Sequence, residues 1–132
     1  MSGIVLDASA AIELVVSTRG LRAAVAAALA DQPIHAPALL DAEVLSGIAR
    51  LERAGKLDTT TATVAIAEWG NATVERHAGH ELMTEAWRIR LSVRISDGFY
   101  LALARQLDAP LVTCDARLAR SPHPGVTVTL IG

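Results

Sequence analysis

Apolar residues in this chain follow two rhythms: short unbroken runs, and longer stretches in which they recur every three or four positions. Ile4-Val5-Leu6 is a run of the first kind, closed by Asp7, and predicts a buried strand. From Ala8 to Val16 the spacing turns helical, and Ser17-Thr18-Arg19-Gly20 breaks it. Leu21 to Ala30 predicts a second helix, rich in alanine, the best helix former. Pro33 to Pro37, bracketed by prolines, predicts a brief strand. Ala38 to Arg53 predicts a long amphipathic helix closed by Ala54-Gly55. Further helices are expected over Thr59 to Trp69, His80 to Val93, and from Ser96 or Asp97 to Leu107, with a helical turn at Ala116 to Ala119. Strands are expected at Thr73 to His77, Pro110 to Thr113 and Val126 to Leu130. Short apolar strands alternating with helices imply an α/β fold, its mainly parallel sheet covered on both faces. Ligands of such folds bind beyond the C-terminal ends of the strands.

Composition narrows the class. The 132 residues suit a single domain over 1–132, without repeats or linkers. With 52% hydrophobic and 20% charged residues, disorder is excluded as the dominant state. The longest weakly polar stretch, Ala23 to Ala30, is far short of the ~20 apolar residues that a membrane-spanning helix needs. The chain start has no basic region before Asp7, so no signal peptide is expected and a cytoplasmic protein is the default. Cys114 is the only cysteine, which rules out an internal disulfide and a multi-cysteine zinc site. It is expected to be a buried small hydrophobe rather than a nucleophile.

The net charge of −2, with Lys56 the only lysine, is not that of a typical nucleic-acid binder. The balance changes if several acids share one cation-neutralised pocket. The remaining surface is then net positive, and Arg88, Arg90, Arg94, Arg117 and Arg120 become candidates to meet phosphates.

Four acids are candidates for that pocket. Asp7 and Asp115 each follow a short apolar strand, and Asp97 opens a helix; each alone is also explained as a helix cap or a dipole partner. Glu43 is different, because its helical neighbours Leu39, Leu40, Ser46 and Gly47 are apolar or small. A carboxylate on a packed face must be paired, protonated or bound to a metal. Topology sends all four towards one edge of the sheet, where they repel one another unless a cation joins them. Oxygen-only ligands select Mg²⁺ or Mn²⁺ over zinc. A metal-bound water attacking a phosphodiester is the natural chemistry of such a site.

Four segments then take on a common meaning: Ile4-Val5-Leu6-Asp7-Ala8-Ser9-Ala10, Pro37-Ala38-Leu39-Leu40-Asp41-Ala42-Glu43-Val44, Ser96-Asp97-Gly98-Phe99-Tyr100-Leu101-Ala102-Leu103-Ala104, and Leu111-Val112-Thr113-Cys114-Asp115-Ala116-Arg117-Leu118. In this order they resemble PIN-domain proteins, and among those the VapC-type toxins of bacterial toxin–antitoxin pairs. The resemblance implies a PIN-like α/β/α sandwich around a sheet of about four to five strands. It implies Mg²⁺- or Mn²⁺-dependent endoribonuclease activity, a homodimer, and inhibition by a cognate antitoxin. By position, Asp7 and Asp97 become the principal metal ligands, Glu43 orients the attacking water, and Asp115 completes the pocket. Ser9 and Thr113 become hydroxyls supporting those ligands. Gly98 stands where the family more usually has alanine, which is expected to loosen the start of its helix. The small-residue helices carrying Ala10, Ala11, Leu14, Val15, Leu21, Val25 and Leu29 are either core or a groove for a partner peptide.

Other readings stay open. A receiver-type signalling module also has an acidic Mg²⁺ pocket, but it needs a lysine near its last strand, and Lys56 follows the long helix. A PIN fold without catalysis, acting through protein contacts, is the other alternative. His35, His77, His80 and His123 show no metal-binding spacing. Trp69, Trp87, Phe99 and Tyr100 are too scattered for a base-stacking platform, and the two tryptophans are expected in packing or dimer contacts.

Overall fold

The computed structural model describes residues 3–121 and 123–132. Five strands form one all-parallel sheet in the order β3-β2-β1-β4-β5: β1 (Ile4–Leu6), β2 (Ile34–Pro37), β3 (Glu75–His77), β4 (Leu111–Thr113) and β5 (Val128–Leu130). Between them lie α1 (Ala8–Val15), α2 (Arg22–Leu29), α3 (Leu40–Arg53), α4 (Thr59–Gly70), α5 (Met83–Arg88), α6 (Ile95–Leu107) and α7 (Ala116–Arg120). β1 and β4 are buried throughout, as strands covered on both faces must be. The chain winds outward from β1 in both directions, so the switch point lies between β1 and β4. That is where an open parallel sheet leaves a crevice at its C-terminal edge. The order also separates this fold from a receiver module, whose sheet runs 2-1-3-4-5.

Packing explains most helix positions. α3 buries Leu40, Val44, Gly47 and Ile48 and lies close against α1, where a β-carbon at Gly47 would collide with Ile12. Trp69 is buried, donates its indole N–H to Asp41 at 2.9 Å, and carries the Arg76 guanidinium over its ring. It is thus a packing residue. Trp87 is 61% exposed, with Arg90 stacked 4.1 Å above its ring.

One expectation changes and one open alternative is decided. The helix expected over His80 to Val93 is broken into a 3₁₀ turn at Gly79–Leu82, α5, and tight turns from Ile89 onward. Leu82, Ala86 and Val93 still reach the core, but Leu91 is 90% exposed, so no continuous apolar stripe holds a straight helix there. The small-residue helices are core rather than an open groove: Ala10, Ala11, Val25 and Leu29 are buried, with Leu14, Val15 and Leu21 packed against them. No helix among the described residues is long and apolar enough to cross a membrane.

Candidate active site

A cleft of about 430 Å³ opens at the switch point and is lined by all four acids, Asp7, Glu43, Asp97 and Asp115, together with Ser9, Arg50, Arg94 and Tyr100. β1 carries Asp7 to the sheet edge, where its amide N–H donates to Val112 at 3.2 Å, so the β1–β4 pairing fixes its position. Asp115 follows β4, α3 supplies Glu43 after β2, and α6 supplies Asp97 in its first turn.

The structure separates capping from other roles. Asp7 caps α1, accepting the Ala10 N–H at 3.0 Å, and Asp115 caps α7, accepting the Arg117 N–H at 2.9 Å. Asp97 caps nothing; α6 begins after Arg94, which makes no side-chain cap. Capping therefore does not explain this buried carboxylate, although it lies in the first turn of α6, at the positive end of the helix dipole.

Asp7 sits in a hydroxyl cradle. Ser9 donates to Oδ1 at 2.7 Å and Thr113 donates to Oδ2 at 2.5 Å. The Cys114 N–H donates to Ser9 Oγ and the Asp115 N–H to Thr113 Oγ1, so both hydroxyls are oriented by the chain after β4. A carboxylate has about four acceptor sites, and three of Asp7's are used, leaving one for the cleft. Burial pushes the Asp7 carboxyl up to about 6 despite these donors, and the nearby Asp115 charge adds to the shift.

Asp97 and Asp115 share one cation: Arg117 Nη2 donates to Oδ2 of each at 2.9 Å. Arg94 Nε lies 3.5 Å from Asp97. Glu43 accepts the Tyr100 hydroxyl at 2.5 Å. Burial and that bond hold the phenol well above its ordinary range, so Tyr100 remains a donor. Asp97 and Tyr100 are three apart on one helical face, a spacing that could have revealed the tyrosine. Arg50 was likewise legible as the residue two turns after Glu43. Tyr100→Phe is expected to lower activity at this site about tenfold, the scale of one hydrogen bond to a charged group. The melting temperature should barely move, because water can reach the half-buried Glu43. Unchanged turnover would show that Glu43's orientation is unimportant.

The candidate arginines divide. Arg94 and Arg117 stand at the acids. Arg88 is instead held bidentately by Glu85 and lines a separate cavity beside Arg105 and His123. Arg90 is stacked on Trp87, and Arg120 ends α7. Cys114 is buried and its thiol is pushed up to about 11 by burial, consistent with an inert packing residue. Lys56 lines a different cleft, beside Glu13 and Arg19.

The donor set suits a hard divalent ion, because all four acids offer only oxygen. Among the described residues, no three of the four bring oxygens within 4.8 Å of one another. A divalent ion here would be held directly by one or two of these carboxylates, the others acting through water, as Mg²⁺ commonly is.

The PIN domain family model matches residues 4–123. Ribonuclease VapC3 of Mycobacterium tuberculosis is 41% identical over 118 residues, covering 89% of this chain and 86% of the relative. Ribonuclease VapC12 of the same species is 36% identical over 128 residues, covering 97% and 98%. The fold is shared with a chain of a toxin–antitoxin complex from Klebsiella pneumoniae, at a TM-score of 0.61 and 17% identity over 93% and 94% of the two chains. Matched from β1 through α7, this chain belongs to the PIN domain family.

Proposed function

We propose that the protein is a metal-dependent endoribonuclease of the VapC type, acting as the toxin of a toxin–antitoxin pair. The observation that carries this reading is the convergence of Asp7, Glu43, Asp97 and Asp115 on one cleft at the switch point, with Asp97 present for no capping reason. The ribonuclease names of relatives at 41% and 36% identity support the substrate class.

Asp7 and Asp97 would hold a Mg²⁺ or Mn²⁺ ion, with Asp115 and Glu43 bounding its water shell. A bound ion supplies Lewis-acid polarisation of a phosphate oxygen and a water made acidic enough to attack at neutral pH. The Ser9 and Thr113 hydroxyls fix the Asp7 oxygens, so little reorganisation accompanies reaction. Glu43, aimed by Tyr100, is placed to accept a proton from water in the cleft. Arg117 neutralises two acids in the resting protein and presents a part-exposed guanidinium that would meet a phosphate. Arg50 and Arg94 add positive charge to the cleft, which answers the unfavourable net charge of the whole chain.

The reading includes a homodimer and an antitoxin partner. The exposed Met83, Trp87 and Leu91, clustered along α5 and the turn after it, are apolar surface that such contacts would cover. The test is incubation of purified protein with total cellular RNA in Mg²⁺, in Mn²⁺ and in EDTA. Discrete fragments that need metal are expected. Metal binding without cleavage under any condition would favour a PIN fold acting through protein contacts alone.

A further inference from the structure

His35, Glu75 and His77 lie outside the acid cleft, on the paired strands β2 and β3. In the parallel register His35 faces Glu75, and Glu75 and His77 are two apart, so alternation puts all three side chains on one face. Their ligand atoms lie within 4.8 Å of one another. His35 Nδ1 is 3.0 Å from His77 Nε2 and 3.3 Å from Glu75 Oε2. Metal bonds of roughly 2.0–2.2 Å in a tetrahedron give edges of about 3.3 Å, so these separations are already close to those around a bound Zn²⁺.

Hydrogen bonding alone serves the cluster poorly. His35 Nδ1 carries either one proton or one lone pair, and two acceptor-capable atoms converge on it. If it accepts from His77 it cannot donate to Glu75. The ring is also fixed: His35 is buried, and Gly3 leaves it room, since a β-carbon there would lie 3.1 Å from the imidazole. Glu75 is exposed, so the fourth coordination position opens to water.

We propose that His35, Glu75 and His77 bind a divalent transition metal of the Zn²⁺ class that staples edge strand β3 to β2. Two imidazoles and one carboxylate prefer such an ion over the hard ions suited to the acid cleft. Sequence spacing hid the site because His35 and His77 meet only through strand pairing.

The test is Zn²⁺ titration of tag-free, metal-stripped protein against a chromophoric chelator, in the wild type and in Glu75→Gln, His77→Gln and Asp97→Asn. One tight Zn²⁺ per chain is expected in the wild type and in Asp97→Asn. Affinity should fall more than about tenfold in Glu75→Gln and in His77→Gln, since even indirect partners of a metal ligand are worth that much. Co²⁺ in place of Zn²⁺ should give visible absorption of tetrahedral strength in the wild type and lose it in His77→Gln. Neither changed side chain is in the core, and circular dichroism checks that both variants fold. Absence of tight binding in the wild type, wild-type affinity retained in either strand variant, or loss in Asp97→Asn would each overturn the proposal.

Discussion

Asp97→Asn is expected to lower RNA cleavage by at least about a hundredfold, the scale on which one preorganised electrostatic group acts, while barely changing the melting temperature. Two observations separate activity from stability here. The carboxylate caps no helix, so no backbone donor is orphaned by the change. Its ionic partners Arg94 and Arg117 are 68% and 42% exposed at the side chain, so water can take up both guanidinium groups, and Arg117 keeps Asp115. The introduced amide fills the same volume and can still accept from Arg117, but it is a far weaker metal ligand. Cleavage assays in saturating Mg²⁺ and a thermal melt on the same preparation decide the matter. Parallel loss of activity and stability would make Asp97 a structural residue.

Much of this site was legible before the fold was known, for a physical reason. A strand buried on both faces reads as an unbroken apolar run, so Ile4 to Leu6 and Leu111 to Thr113 announced both the sheet centre and the acids after it. Glu43 stood out because helical periodicity placed it beside apolar neighbours, and it is indeed half-buried against Tyr100. What escaped depends on contacts between distant segments. Arg117 joins acids on two elements, and His35 meets His77 only across a strand pair. The packing role of Gly98 also escaped: a β-carbon there would lie 3.3 Å from Ala86, so the glycine lets α5 approach. Glu13, in a stretch that reads as apolar, is buried because the chain returns to it, donating the Arg19 and Leu21 N–H groups to its carboxylate. Helix periodicity cannot foresee that loop.

Asp7 supplies the second large effect, and it runs against the usual behaviour of acids. Its folded carboxyl titrates at about 6, against 3.8 for an aspartate exposed to water as in the unfolded chain, so between these values the folded state binds more protons than the unfolded one. The stability this gives is fully present below pH 3.8 and is lost as pH rises through about 6. The loss is on the order of 3 kcal/mol for metal-free protein at neutral pH. Asp41 and Glu85, held low by their arginines, act in the opposite sense only at more acidic pH, so the fall in stability between about pH 5 and 6 is that of Asp7. Asp7→Asn is a mimic of the protonated acid. Its carbonyl keeps the Ser9 and Ala10 donors, its amide donates to Thr113, and the freed Thr113 proton can turn to Ser9 Oγ at 3.2 Å. An alanine there would instead remove the cap and strand both hydroxyls, mixing chemistry with stability. In EDTA at pH 7, Asp7→Asn should therefore melt roughly 10 °C above the wild type, and its stability should be flat between pH 5 and 7. Mg²⁺ should raise the wild type and leave the variant nearly unmoved, because only the charged carboxylate is relieved by the ion. A variant that melts no higher than the wild type, beside a wild-type profile flat across that window, would show that Asp7 is not held under electrostatic tension.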